Sequence, residues 1–293
     1  MQRERISDSV YVFTSELYVQ VTASVILTSE GAVLVDTLLY PEETLQMKHF
    51  IEDRLGAHVR YVINTHHHAD HTMGTCFFPG AQVIAHRLCY DLLDTRVRES
   101  LARTQATSSD FAEVRIVLPH ILFEDRMTLH LGNRTISLWH SPGHSMDSLV
   151  CAVEEEQILF AADTVMPIPH FANGSYDSIL RSIEALRGRN YDIIVQGHGE
   201  VILRGEIEDR LQEDVEYLEK LRSAVDRAIG TAPAPTRLSK ALEGIRIEAC
   251  GKSKILLNGA AQTLHRQNVL ALAQQRRQTL YPTDQLLEGT DGR

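Results

Sequence analysis

The chain has 293 residues, 43% hydrophobic and 23% charged, which is enough to bury a core and too apolar for an intrinsically disordered segment. No run approaches the ~18 uninterrupted apolar residues of a membrane span, and no apolar run or small-residue cleavage site follows the charged start at Met1, so a soluble, cytoplasmic protein is expected. With 29 Lys plus Arg against 39 Asp plus Glu, a formal charge of −10 repels a polyphosphate and argues against a nucleic-acid partner.

Val10 to Phe13 and the alternating stretch from Tyr18 to Leu27 read as paired strands, and a turn at Ser29-Glu30-Gly31 leads into the apolar run Ala32 to Val35. Pro41 opens a helix reaching about Leu55. A buried strand, Val59 to Ile63, ends at Asn64-Thr65, where histidines begin. Gln82 to Ala85 is a short strand, and a helical stretch from about His86 to Arg103 precedes a small, polar segment, Gln105 to Asp110, read as a mobile loop. Met127 to Leu131, Arg134 to Trp139, Ser148 to Val153 and Gln157 to Ala161 are strands, with turns at Gly132-Asn133 and Glu154-Glu155-Glu156. Ser178 to Leu186 fits a helix with Ile179, Ile183 and Leu186 on one face, followed by the buried strand Asp192 to Val195. From Ile207 to Ile229 apolar residues recur every three or four positions, a long amphipathic helix stopped by Gly230. Ala232-Pro233-Ala234-Pro235 reads as a stiff linker, a second helix runs from about Ala260 to Arg277, and the last dozen residues fray. This divides the chain into an α/β body over 1–204 and a helical C-terminal extension over 205–293. The apolar stripe of the extension is expected to pack on the body or to offer a face for a homo-oligomer.

The unusual count is histidine, at fourteen. His66-His67-His68-Ala69-Asp70-His71 follows directly on a buried strand, and imidazole and carboxylate are the groups that bind zinc at about 2.0–2.2 Å. Residues two apart in a tight loop share a side, so His66 and His68 can grip one metal while Asp70 and His71 grip a second. Three later segments repeat the form of a strand followed by one ligand-type residue among small ones: His144 in Ser141-Pro142-Gly143-His144-Ser145, Asp163 after Phe160-Ala161-Ala162, and His198 in Gln196-Gly197-His198-Gly199. Five histidines and two aspartates suffice for two metals with positions left open for water. His67 is expected to point away from the metals, Asp36 to brace the histidine loop by hydrogen bonds, and His86, His120, His130, His140 and His265 to be structural, with a role in bracing the ligands left open for His86 and His140, which lie near strand ends. The cysteines, Cys76, Cys89, Cys151 and Cys250, form no C-x-x-C pair and read as reduced, mostly buried thiols.

In order and form, the H-x-H-x-D-H block, the S-P-G-H segment, the lone Asp after a strand and the G-H-G resemble the metallo-β-lactamase superfamily over roughly residues 8 to 204. The resemblance implies an αββα sandwich with metals at one edge between two sheets. It implies one site from His66, His68 and His144, a second from Asp70, His71 and His198, and Asp163 bridging both. Met73-Gly74-Thr75 and Ala162-Asp163 depart from the commoner G-G-N and G-D, and neither change removes a ligand. A thiolate ligand is absent at Asp163, and the glutamate of di-iron relatives is absent at His68. The cofactor expected is a pair of zinc ions, with iron or manganese as other divalent choices. The reaction expected is attack by a metal-bridging hydroxide on an ester, lactone, thioester or amide of a small molecule. Asp70 would accept a hydrogen bond from that hydroxide, and His170 and Tyr176, in the loop after Asp163, are candidates to face the substrate. The hydrophobic loop residues Met166, Ile168 and Phe171 point to a partly apolar substrate. Two other activities of such a scaffold stay open: a mononuclear iron dioxygenase acting on a persulfide, and a phosphodiesterase or nuclease, which the lack of a basic arm disfavours. A metal-dependent binding module is the non-catalytic alternative.

Overall fold

Alternation along the strands sorts apolar side chains onto two opposite faces, and both faces are covered. The computed structural model describes residues 1–231 and 235–280; residues 232–234 of the expected linker and the last dozen residues, expected to fray, lie outside them. Seven strands form the first sheet in sequential order: β1 (Gln2–Arg5), β2 (Val10–Thr14), β3 (Thr22–Thr28), β4 (Gly31–Val35), β5 (Val59–Ile63), β6 (Gln82–His86) and β7 (Ile121–Phe123). β1 to β4 pair antiparallel, and β4 to β7 pair parallel. The second sheet has the order β13-β12-β11-β10-β9-β8, from β8 (Arg126–Leu131), β9 (Arg134–His140), β10 (Leu149–Val153), β11 (Ile158–Ala162), β12 (Ile193–Gln196) and β13 (Ile202–Leu203).

Val33 and Val35 of β4 face Leu149, Cys151 and Val153 of β10 in the core between the sheets. Ala32 and Leu34 turn the other way, onto α1 (Pro41–His49) through Met47. On the outer face of the second sheet, Val150 and Ala152 pack in one apolar cluster with Ile179 and Ile183 of α5 (Tyr176–Glu184) and with Leu211, Leu218 and Leu221 of α6 (Arg204–Thr231). Val269 and Leu272 of α8 (Ala261–Leu280) join the same cluster. The result is an α/β sandwich, helix–sheet–sheet–helix, onto which the C-terminal helices are built through a shared core. Full burial of a Leu or Val side chain is worth ~1.5–3 kcal/mol over exposure, so core burial rather than exposed ion pairs holds the extension in place. A buried pair, Lys252 Nζ to Asp214 Oδ1 at 2.6 Å, ties the segment before α8 to α6.

Several expectations need correction. The strand read from Tyr18 begins only at Thr22, because Ser15 to Val21 is a loop with Val19 and Gln20 in the left-handed region, φ 43° and 53°. The helix expected over His86 to Arg103 is α3 (Arg87–Leu92), a widened turn at Leu93–Val97, and α4 (Arg98–Gln105). The polar segment after it is a turn and a short 3-10 helix, Ser109–Phe111, pinned by the Gln105 side-chain amide on the carbonyls of Phe111 and Val114. β1 has no apolar alternation, and β7 and β13 are three and two residues long, too short for a periodic signal; α7 (Pro235–Glu243) also went unread. All four cysteines are unpaired, and three of them are buried. Among the described residues no helix is long and apolar enough to cross a membrane.

Candidate metal centre

The expected ligands converge because their strands end at one edge of the sandwich. In a parallel arrangement the carboxyl ends of neighbouring strands open on the same side, where loops can meet. β4 delivers Asp36 and β5 delivers His66 to His68; the short helix α2 (Ala69–Thr72) then carries Asp70 and His71. β9, β11 and β12 deliver His144, Asp163 and His198. Two glycines make the approach feasible. A Cβ on Gly197 would stand 1.9 Å from Asp163 Oδ1, and Gly143, at φ +147°, would press a Cβ to within 2.3 Å of the Ile179 backbone.

The ligand atoms fall into two groups, each with its members within 4.8 Å of one another: His66, His68, His144 and Asp163, and then Asp70, His71 and His198. In the first, His68 Nδ1 lies 3.0 Å from His66 Nε2 and 2.9 Å from His144 Nε2, and His144 Nε2 lies 3.2 Å from Asp163 Oδ2. In the second, His198 Nε2 is 3.4 Å and His71 Nε2 is 3.8 Å from Asp70 Oδ2. Asp163 reaches the second group too, with Oδ1 at 3.3 Å from His71 Nε2 and Oδ2 at 3.6 Å from His198 Nε2. The other ring nitrogens are committed elsewhere. His71 Nδ1–H donates to Asp36 Oδ2 (2.8 Å), His144 Nδ1–H to the His170 carbonyl (2.8 Å) and His198 Nδ1–H to the Val19 carbonyl (2.8 Å). Thr65 Oγ1 donates to Asp36 Oδ2, so it accepts from His66 Nδ1–H. Each of these four rings therefore turns its Nε2 inward.

The set fits a divalent cation. His71 Nε2 and Asp163 Oδ1 face each other, buried, and neither has a hydrogen-bond partner. Buried polar atoms are rarely left so, and a metal satisfies both. Five of the seven residues are buried, whereas His68 and Asp70 keep partial exposure, so access is from their side. Burial and the neighbouring imidazoles push His66 well below the ordinary imidazole range and His68 down to about 3. Burial opposes protonation of His71 and His198 as well, but the carboxylates of Asp163 and Asp70 overcome it, holding His71 well above the usual range and His198 up at about 10. Protons there occupy the atoms that a cation would take.

This gives a signed pH dependence. Between about 6.5 and about 10, His198 of chelator-stripped protein carries a proton that a cation must displace. Cation binding is expected to release protons at pH 7, and affinity is expected to rise with pH across that interval. Calorimetric titration with zinc in buffers of different ionisation enthalpy measures the release; none at pH 7 would show that the carboxylates leave both rings neutral.

His67 turns from the cluster, and its backbone N–H and ring Nδ1–H both go to Asp147, at 2.7 and 2.9 Å. Asp36, as expected, braces the loop, accepting from Thr65 N–H at 2.8 Å besides the contacts above. His170 is buried, its carbonyl oriented to His144 and its Nε2–H donating to Gln267 Oε1 of α8 at 3.0 Å. Tyr176 is a correction as a substrate-facing candidate: it is buried, and its hydroxyl donates to the Leu218 carbonyl of α6. Its place three residues before Ile179 puts it on the apolar face of α5. Met166, Ile168 and Phe171 are likewise core residues. Sequence reasoning missed Asp147, Val19, Tyr18 and Asn173. Asn173 Nδ2 lies 3.4 Å from His68 Nε2, and burial with the Asp70 charge raises the Tyr18 phenol to about 12.

The family model described as metallo-beta-lactamase superfamily matches residues 18–198. A thioesterase, pkgB, of Emericella nidulans is 24% identical over 62% of this chain and 44% of its own length. A hydroxyacylglutathione hydrolase of Pelagibacter ubique is 24% identical over 55% of this chain and 59% of its own. The chain thus spans about half the length of these curated relatives. Among solved structures, a metallo-beta-lactamase from Pontibacter korlensis superposes on 74% of this chain and 98% of its own, with TM-score 0.60 at 22% identity. The sec-alkylsulfatase Pisa1 from Pseudomonas sp. superposes on 98% of this chain and 51% of its own, with TM-score 0.73 at 15% identity, a likeness of fold that extends over the C-terminal helices.

Proposed function

The chain belongs to the metallo-beta-lactamase superfamily, and from that premise we propose that it is a hydrolase holding two zinc ions and cleaving an ester, lactone, thioester or amide bond of a small molecule. His66, His68 and His144 would hold one ion, Asp70, His71 and His198 the other, with Asp163 between them. The observation that carries this reading is the pair of adjoining ligand groups, with the Asp163 carboxylate of the first also 3.3 Å from His71 Nε2 and 3.6 Å from His198 Nε2 of the second, and two buried atoms left without partners at their junction. When bound, such ions lower the pKa of water from 15.7 towards about 7 and polarise a carbonyl oxygen. The chain's own contribution is orientation. Asp36, Thr65, Val19 and His170 turn four imidazole Nε2 atoms inward in advance, so little reorganisation remains when charge develops. Asp70, facing His198 at 3.4 Å and partly exposed, is the group to accept a hydrogen bond from the attacking water. Tyr18, whose phenol stays protonated across the working range, and Asn173 are donors at the open side for the oxygen of a substrate.

Thioesters lead the substrate classes, since two relatives are named thioesterase and hydroxyacylglutathione hydrolase. The test is a panel of acyl thioesters, lactones, β-lactams and phosphoesters on zinc-loaded protein, with metal analysis of the same sample. Two zinc per chain and turnover of a carbonyl substrate are expected. One iron per chain with oxygen uptake on a persulfide would replace the reading with a dioxygenase, and turnover of phosphoesters alone would replace it with a phosphodiesterase.

A further inference from the structure

Resting on the metal-binding reading above, we infer that Asn268 of the C-terminal helix α8 is a positioning residue of the metal centre, acting on His144 through the peptide that joins His170 to Phe171.

That peptide is engaged on both sides. Its carbonyl, on His170, accepts from His144 Nδ1–H at 2.8 Å, and its N–H, on Phe171, donates to Asn268 Oδ1 at 3.1 Å. The preceding carbonyl, on Pro169, accepts from Asn268 Nδ2–H at 2.7 Å. One carboxamide therefore fixes the two peptide groups that flank His170. The amide cannot flip without facing donor to donor and acceptor to acceptor.

The chain of bonds continues outward in one direction. Asn268 Nδ2–H also donates to Tyr217 Oη of α6, at 3.1 Å. His265 Nε2–H donates to the Ile245 carbonyl at 3.1 Å, which leaves its Nδ1 to accept from the Tyr217 hydroxyl at 3.0 Å. From His144 to Ile245 every group thus donates onward to the next. Asn268 and Tyr217 are both fully buried, so no water competes for these bonds. In such surroundings linked hydrogen bonds polarise one another, and the group bonded to the far nitrogen of a ligating imidazole fixes its tautomer and ring orientation. The extension therefore helps to define the first metal site although none of its described residues is among the ligand-type groups. Gln267, which accepts from His170 Nε2–H, holds the same residue by its ring.

The test uses the full chain, stripped of metal and reloaded with Co2+ or Zn2+. Asn268→Ala is expected to weaken one of the two sites by about 10- to 100-fold, read by competition with a chromophoric chelator. It is also expected to alter the visible Co2+ bands of that site. Tyr217→Phe keeps the ring and removes only the hydroxyl that fixes the Asn268 amide, so a smaller shift in the same direction is expected; it decides the matter where Asn268→Ala fails to fold. Folded variants with a lowered melting temperature but parental affinity and spectrum would overturn the inference, leaving Asn268 a packing residue. A parent chain that binds no metal would instead bring down the functional reading, and this inference with it.

Discussion

Asp163→Ala is expected, on the two-ion reading proposed above, to lower bound metal from two ions per chain to one or none and to cut turnover about a thousand-fold or more. Its two oxygens stand between the groups, at 3.2 Å from His144 Nε2 and 3.3 Å from His71 Nε2, so its loss removes a carboxylate from both. Loss of several kcal/mol of transition-state stabilisation is the ordinary scale for disabling a metal site, and each ~1.4 kcal/mol is tenfold in rate. Asp163→Asn preserves shape and removes charge, and a comparable loss there would assign the effect to the carboxylate rather than to a cavity. Metal analysis and steady-state rates read both variants. Parental metal content in Asp163→Ala would refute the shared position.

Asp36→Asn is expected to be the second severe change, for a residue that contacts no metal. Asp36 adopts φ 59°, a conformation that Asn tolerates nearly as well as Asp, so the backbone should hold. Oδ1 must still accept the Thr65 N–H, which forces the new NH2 to the position of Oδ2, where it meets His71 Nδ1–H and the Thr65 hydroxyl. Two donors then face each other. His71 relieves the clash by moving its proton to Nε2, the atom needed inward. Affinity at the site of Asp70, His71 and His198 is expected to fall by about 10- to 100-fold, with a modest loss of melting temperature. Asp36→Ala, by contrast, strands three buried donors, each costing ~1–3 kcal/mol, and should fail mainly in stability. Chelator competition beside thermal melts separates the two, and an unchanged second site in Asp36→Asn would show that Asp36 does not set the His71 tautomer.

The ligand-type residues were legible because each stands in a short pattern of its own: an apolar strand, a turn of small residues, then His or Asp. Such patterns depend on neighbours within a few positions, and the structure brings all seven residues together. The same local logic misjudged Tyr176, although its spacing from Ile179 and Ile183 already marked the core face of α5. It also carried a strand back to Tyr18, because the alternation there continues in sequence while the backbone turns at Val19 and Gln20 to put the Val19 carbonyl on His198.

Hydropathy periodicity, a local property, was enough to mark the strands and helices of an α/β body, and the strand-end His and Asp patterns, through their resemblance to the metallo-β-lactamase superfamily, implied the sandwich and its clustered centre. The tertiary structure alone decided how that centre is held: which nitrogen of each ring faces inward, why Asp147 takes His67 away from it, and that Asn268, more than a hundred residues beyond His144, closes on the peptide behind it. The reason is physical. A hydrogen bond is satisfied by proximity and direction in space, and residues so far apart in the chain carry no mark of each other until folding sets them about 3 Å apart.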